Sequence, residues 1–242
     1  DQPRSRGLGD VYKRQLQQSV PGFDMEAPHY WANNVLADGV TAADLTVSEP
    51  ALIGWLHTLE AISQLCMASA RYRAAANYAR RVLKAEGYPT RAAGTVLLAL
   101  ARLEDQDGFF ALAHQLEEQM GADALENSPW YLLARTILLF KTNKMRPATR
   151  ALREFANRCE GGAFFLLNPM YQTPYLPCRP EPRDPWDLSH QAVWEADGII
   201  SDTPDFAPWA NACEDVSQLA QEFARRYGFC LLYTSPSPRD RG

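Results

Sequence analysis

Apolar residues recur along this chain every three or four positions, the spacing that places them on one face of an α-helix. Stretches with the period-two alternation and β-branched enrichment of strands are absent from the sequence, which argues against a sheet. Helix-start signals recur, and the clearest is Ser128-Pro129, a capping hydroxyl followed by a first-turn proline. We therefore predict an all-α fold. The predicted helices are 49–67, 72–85, 90–103, 109–120, 129–140, 145–159, 186–200 and 214–227.

The first six predicted helices form three pairs, and the pairs repeat. The three copies are Ala70-x-Tyr72-x-x-Ala75, Gly108-x-Phe110-x-x-Ala113 and Asn143-x-Met145-x-x-Ala148. Each has a small or turn-forming residue, then a large one, then an alanine, and the alanines are 38 and 35 residues apart. Small residues allow two helices to approach closely, and the large residue fills the space beside them. The pattern resembles the tetratricopeptide repeat, whose period is about 34 residues.

The resemblance covers residues 49–160. The family's Trp-x-x-Leu-Gly-x-x-Tyr positions are occupied here by Leu59, Ile62, Ser63 and Cys66. The resemblance implies an array of antiparallel helix hairpins, a TPR-like α-solenoid, with a concave face for a peptide or a partner helix. It implies a non-catalytic protein–protein interaction scaffold or adaptor, with partner contacts on the first helix of each pair. Those candidate contacts are Trp55, Leu59, Arg135 and Thr136; for Arg135, pairing with a neighbouring carboxylate is the alternative.

The character of the sequence changes after Gly161-Gly162. Segment 168–185 holds six prolines and cannot be helical through its middle, so we predict a Gly/Pro-rich strap over 161–185. Asp184-Pro185-Trp186-Asp187 then has the composition of a helix cap and opens a C-terminal helical cap over 186–229. Aromatic residues of this region are candidates either for the core or for a recognition surface. The recognition candidates are Tyr171, Tyr175, Trp186 and Trp194.

Chemistry is most conceivable around Asp187 and His190, which lie three apart on one helix and can touch. Such a pair can orient an imidazole as a general base, so an enzyme or ligand-binding domain with a site here is the competing hypothesis. Local capping and a hydrogen-bonded histidine explain the pair more simply. His190 and Glu195 diverge by about 140° around the helix, which disfavours a shared metal. No cofactor or metal site is predicted.

A basic stripe, formed by Arg146, Arg150 and Arg153, lies at helical spacing on the second helix of the third pair. A phosphate or acidic-peptide site is one interpretation of it. In the repeat family the ligand groove is lined mainly by first helices, so a solvated outer face is the interpretation we adopt.

Both ends of the chain resemble translated DNA of a transposase-library sequencing adapter. Segments 5–15 and 230–240 correspond to opposite strands of one adapter in shifted frames. We therefore expect residues 1–15 and 230–242 to be adapter-derived and 16–48 to be a helical lead-in. Setting the ends aside leaves 18 of the 24 basic and 26 of the 29 acidic residues, so the net charge moves from −5 to −8. An acidic chain repels phosphate backbones, which disfavours nucleic acid as a partner.

The sequence thus predicts a cytoplasmic fragment of a longer protein, with a protein or peptide partner and no membrane segment. Of the five cysteines, the four outside the expected adapter segments form no Cys-x-x-Cys pair and are expected to be reduced thiols. A helical array cut at Phe229 is expected to expose an apolar face and to self-associate. The remaining hypothesis is a regulatory half whose effector domain lies in the missing flanks.

Overall fold

The computed structural model describes residues 50–84, 91–174 and 182–229. Within these ranges all the regular secondary structure is helical, as predicted, and there is no strand. The expected lead-in over 16–48, the two expected adapter segments and Tyr175 lie outside the described residues. The helices are α1 Pro50–Ala68, α2 Tyr72–Leu83, α3 Ala92–Arg102, α4 Gln106–Met120, α5 Ala122–Glu126, α6 Pro129–Lys141, α7 Met145–Arg158, α8 Gly162–Leu167, a 3-10 turn Pro169–Tyr171, α9 Asp187–Ser201, α10 Phe206–Asn211 and α11 Glu214–Tyr227.

Local sequence signals explain where several of these helices begin. The Ser128 hydroxyl accepts the N–H of Tyr131 at 3.4 Å, and Pro129 occupies the first helical position of α6. Asp105 caps α4 by accepting the N–H of Gly108 at 2.9 Å. The start of α9 differs from the prediction, because Trp186 is its N-cap and no side chain bonds the cap position. None of the helices among the described residues is long and apolar enough to cross a bilayer.

The chain divides into two compact units, each described here by itself. The described part of the first unit comprises 50–84, 91–125 and Pro174, and that of the second comprises 126–173 and 182–229. In the first unit α1 packs on α2, and α3 contacts α1, α2 and α4. Nine of the 11 residues of α3 are buried, so this helix is enclosed on all sides. A helix that is apolar around its whole circumference must be buried in this way.

The second unit is organised around the short helix α8. It contacts α7, α9, α10 and α11, while α6 packs against α7 and α9. Phe164 and Phe165 of α8 are fully buried and form the centre of an aromatic cluster. The sequence predicted a strap from Gly161 onward, whereas its first residues form this helix. A pair of glycines is a loop signal, but here Gly162 lies against the ring of Phe155, where only a residue without a Cβ fits.

Three turns of the chain share one geometry. Ala70, Glu104 and Asn143 have left-handed backbone angles, with φ of 56°, 60° and 58°, and each lies two residues before a helix. In each turn the next residue donates its N–H to a carbonyl five residues back, the six-to-one bond of a Schellman motif. These bonds run from Arg71 to Cys66 at 2.8 Å, from Asp105 to Leu100 at 3.1 Å and from Lys144 to Leu139 at 2.9 Å.

The accompanying bonds of the three turns also match. The left-handed residue donates three positions back in every case, from Ala70 to Met67, from Glu104 to Ala101 and from Asn143 to Phe140. Glu104 follows Ala70 by 34 residues, and Asn143 follows Glu104 by 39. The second turn therefore lies four residues before Gly108, which the sequence pattern assigned to it. Gly108 and Phe110 are inside α4, and Phe109 is the buried residue that corresponds to Ala75 and Ala148.

Candidate functional site

The first turn of α9 places His190 inside the aromatic cluster of the second unit. Its ring stacks on Phe165 with centroids 4.3 Å apart and is 3% exposed. Nε2 accepts the backbone N–H of Thr173 at 3.1 Å. Burial lowers the pKa of His190 below 6.5, and the Asp187 carboxylate opposes part of that effect. The neutral ring therefore serves as a hydrogen-bond acceptor, and the Nε2 lone pair that a general base would use is occupied.

Asp187 uses its carboxylate in the same way, to hold backbone. Oδ2 accepts the N–H groups of Arg183 at 2.7 Å and Asp184 at 3.0 Å. The carboxylate thus binds the backbone of the segment that precedes α9. The sequence predicted instead that the side chain of Asp184 would cap the helix. Together, Asp187 and His190 bind the chain on both sides of residues 174–182. The pair that the sequence singled out for chemistry fixes the course of the main chain.

A shared metal does not fit this helix. Glu195 points elsewhere, since its Oε2 accepts the indole N–H of Trp130 at 2.7 Å. Within 50–84, 91–174 and 182–229, no three His, Cys, Asp or Glu side chains are placed to hold an ion together. The thiol of Cys159 is buried, and burial raises its pKa to about 12; the nearby Arg158 lowers this pKa and Glu154 raises it, both by smaller amounts. A thiol with this pKa is a poor nucleophile at neutral pH.

Two of the four predicted groove residues have side chains in the core. Leu59 and Thr136 are fully buried, and the Thr136 hydroxyl donates to the carbonyl of Leu132 at 2.8 Å. Trp55 is half-buried on α1. Burial thus removes Leu59 and Thr136 from any contact surface of the chain in this conformation.

Arg135 is half-buried on α6, where it forms an ion pair with Glu154 of α7. Its guanidinium also lies over the ring of Tyr131, 5.3 Å from the centroid. The sequence analysis gave pairing with a neighbouring carboxylate as the alternative role of Arg135. Glu154 is such a carboxylate. The pair joins the two helices and leaves about a fifth of the Arg135 side chain exposed, at 21%.

The aromatic candidates among the described residues, Tyr171, Trp186 and Trp194, are half-buried. Tyr171 lies 5.2 Å from Phe164 and 5.5 Å from Phe229, measured between ring centroids. Trp186 lies 5.3 Å from Phe165. Trp194 is half-buried on α9. Tyr171 and Trp186 thus extend the cluster around α8 outward, with one part of each ring in the core and another part accessible.

The basic stripe on α7 is exposed, as the outer-face interpretation requires. Arg153 Nε donates to Asp215 Oδ2 of α11 at 2.6 Å, which ties the two helices at the surface. An exposed pair of this kind contributes little, about 0–1 kcal/mol. The stripe lies opposite the buried residues Ala148, Leu152 and Phe155 of the same helix.

A pocket that no sequence pattern indicated lies where the end of α7 meets α8 and α11. Its volume is about 360 Å³. Its lining includes the buried residues Phe164 and Phe223 together with four charged side chains. The charged residues are Arg158, Glu160, Glu222 and Arg226. No periodic pattern could reveal it, because the residues come from three helices and are brought together only by packing.

In comparisons with protein-family models, with curated proteins and with solved structures, nothing matches this chain.

Proposed function

We propose that this chain is a non-catalytic, cytoplasmic scaffold for protein–protein interaction, built from helix hairpins of the tetratricopeptide type. The observation that carries the proposal is the set of three matching turns at Ala70, Glu104 and Asn143. The same hydrogen bonds recur at spacings of 34 and 39 residues, and the first of these equals the period of the repeat family. A repeated turn with a repeated buried position is what an array of equivalent hairpins requires.

The burial pattern supports the same assignment. In the second helix of each pair, the fifth residue after the left-handed position is fully buried: Ala75, Phe109 and Ala148. The first helices of the second and third pairs, α3 and α6, are buried on nearly every side. Inner helices of a stacked array have this character, because they pack against their own partner and against the next hairpin.

The proposed contact residues are those that the chain leaves accessible. Trp55 and Arg135 lie on first helices and are half-exposed, whereas Leu59 and Thr136 belong to the core. A tryptophan and an arginine are the side chains most enriched among energetically dominant interface residues. We therefore place one partner contact on the face of α1 that carries Trp55, in the first unit, and one on the face of α6 that carries Arg135, in the second.

The proposal is tested by selecting ligands for the full chain from a randomised peptide display library. Enriched peptides are then titrated against Trp55→Ala and Arg135→Gln, with Arg146→Gln as the matched control on the exposed stripe. We expect each of the first two changes to weaken binding by about tenfold and the control to change it by less than about twofold. Thermal unfolding of each variant establishes that it is folded.

Two results would overturn the scaffold assignment. One is the absence of any enriched peptide after repeated selection. The other is a ligand that binds both variants as tightly as the unaltered chain while a substitution elsewhere, away from α1 and α6, abolishes binding.

A further inference from the structure

The charged residues of the first unit are separated by sign along its helices. Its described part carries seven lysine and arginine residues and seven acidic residues, so it has no net charge. Range 50–84, which contains α1 and α2, holds five of the basic residues and a single carboxylate, Glu60. The other six carboxylates lie between Glu104 and Asp123, a stretch without lysine or arginine. The unit is therefore neutral as a whole, basic at α2 and acidic at α4.

Basic side chains form the outer face of α2. Arg73 and Arg80 are exposed and seven positions apart, which places them on the same side of the helix, and the exposed Lys84 follows at its end. We call these three residues the α2 face. Within the described ranges, neither Arg73 nor Arg80 takes part in an ion pair. Glu60, the one carboxylate of α1, is half-buried. The two arginines of the α2 face thus remain available to a carboxylate from outside.

The outer face of α4 has the opposite charge. Asp107, Glu117 and Glu118 are exposed on this helix, and we call them the α4 face. Asp107 and Glu117 form no ion pair with any residue of 50–84, 91–174 or 182–229. Glu118 lies 3.6 Å from His114, and a histidine is a cation only when it is protonated. Phe110, which is 46% exposed, lies seven positions before Glu117 and adds apolar surface on the same side of the helix.

The two faces occupy equivalent positions of the repeat. Counted from the left-handed residue of the preceding turn, the third position is Arg73 in α2 and Asp107 in α4, and the fourteenth positions are Lys84 and Glu118. The charges therefore have matched spacing and opposite sign. In an antiparallel pairing of the two helices, Arg73 meets Glu118 at one end and Lys84 meets Asp107 at the other. Such complementarity favours α2 against α4 and disfavours either helix against its own copy.

We propose that the α2 face of one chain binds the α4 face of a second copy of the same chain. The argument is the charge complementarity of two faces that the fold leaves exposed. Surface ion pairs contribute little each and are screened by salt, so the contact is weak and forms at low ionic strength. It joins copies of the chain, and it is separate from the peptide contacts proposed at Trp55 and Arg135.

Sedimentation velocity of the full chain tests the contact through its salt dependence. The weight-average sedimentation coefficient is measured against protein concentration in about 50 mM and about 1 M NaCl, where the Debye length is above about 10 Å and about 3 Å. We expect the coefficient to rise with concentration at the lower salt only. Monomers at both salt concentrations would overturn the proposal. Association that persists at the higher salt would overturn it too, because an apolar surface would then be the cause.

Charge-reversal variants locate the two faces. Arg73→Glu with Arg80→Glu leaves α2 and α4 both acidic, and Glu117→Lys with Glu118→Lys makes both basic. We expect each double variant to associate with itself at least about tenfold more weakly than the unaltered chain. An equimolar mixture of the two should associate again, because each variant supplies the face that the other lacks. Thermal unfolding establishes that both variants are folded.

The matched control is Arg146→Glu with Arg150→Glu, which changes the charge of the chain by the same amount at exposed positions of α7. We expect the control to change association by less than about twofold. A control that weakens association as much as the α2 variant would overturn the proposal, because net charge or α7 would then be responsible. A mixture of the two reversed variants that stays monomeric would overturn it as well. Peptide binding by a chain that remains monomeric would leave the scaffold function standing without this contact.

Discussion

The indole N–H of Trp130 donates to the carboxylate of Glu195 at 2.7 Å, and both side chains are buried. The two residues are 65 positions apart in sequence, so the bond joins α6 to α9. We expect Trp130→Phe to lower the free energy of unfolding by about 1–3 kcal/mol, because a buried carboxylate loses a donor. Urea unfolding measures this, and a double-mutant cycle with Glu195→Ala isolates the coupling. Additive effects of the two changes would mean that the bond does not stabilise the fold.

The three matching turns predict how glycine substitutions rank in their effect on the free energy of unfolding. A left-handed conformation costs a residue with a Cβ about 1–2 kcal/mol, while glycine adopts it freely. Ala70→Gly and Glu104→Gly should therefore raise the free energy of unfolding by about 0.5–1 kcal/mol, and Asn143→Gly by less, since asparagine tolerates this region. Chemical denaturation of the three variants gives the order. A loss of stability in Ala70→Gly would show that the turn is not left-handed.

Gly162 cannot carry a side chain without moving its neighbour. A Cβ there would lie 2.7 Å from the ring of Phe155, which is fully buried. We expect Gly162→Ala to destabilise the chain by about 1–3 kcal/mol through overpacking. Gly198→Ala is the control, because this glycine is exposed within α9 and the change should stabilise by about 0.5–1 kcal/mol. Thermal unfolding distinguishes the two signs.

His190 makes stability depend on pH. Burial lowers its pKa below 6.5 in the folded chain, so between that lowered value and 6.5 the unfolded chain binds a proton that the folded chain does not. Its stabilising contribution is complete above pH 6.5 and is lost as the pH falls toward the lowered pKa, by at most about 1.4 kcal/mol per pH unit. Urea unfolding at several pH values between 5 and 8 should show a shallower slope for His190→Gln. Identical slopes would exclude this histidine as the cause.

Burial raises the pKa of the Cys159 thiol to about 12, and almost no thiolate forms at pH 8. We expect iodoacetamide to leave Cys159 unmodified in the folded chain and to modify it fully in guanidinium chloride. The half-exposed Cys66 provides the internal control, since it should react without unfolding. Mass spectrometry of the digested protein measures both sites, and rapid labelling of Cys159 in the native state would contradict its burial.

Some helix bounds were predictable from local signals. Ser128-Pro129 identified the start of α6, and the periodicity over Glu214–Tyr227 predicted the bounds of α11. The short helices α5 and α10 were not predicted, and two further features were not predictable. Gly108 has the composition of a turn but lies within a helix, while Glu104, which carries no turn signal, is the left-handed residue. The helix α8 begins at the second of two glycines, a pair that is typical of a loop, and the four helices that contact it stabilise it.

The candidate sites show the same division. The sequence placed Asp187 and His190 on one helical turn. The direction of each side chain depends on its hydrogen bond to a distant backbone N–H, that of Thr173 for His190 and that of Arg183 for Asp187. Leu59 and Thr136 occupy positions that suit a groove in the repeat pattern, yet neighbouring helices cover them completely. The pocket beside α11 depends on contacts among three helices, and no spacing rule describes it.

Two side chains in the first turn of α9 hold backbone N–H groups of the preceding chain. His190 Nε2 accepts the N–H of Thr173, and Asp187 Oδ2 accepts the N–H of Arg183. One helical turn therefore anchors the main chain at two points that are separate in sequence. Loss of either side chain would release its own anchor point and leave the other in place.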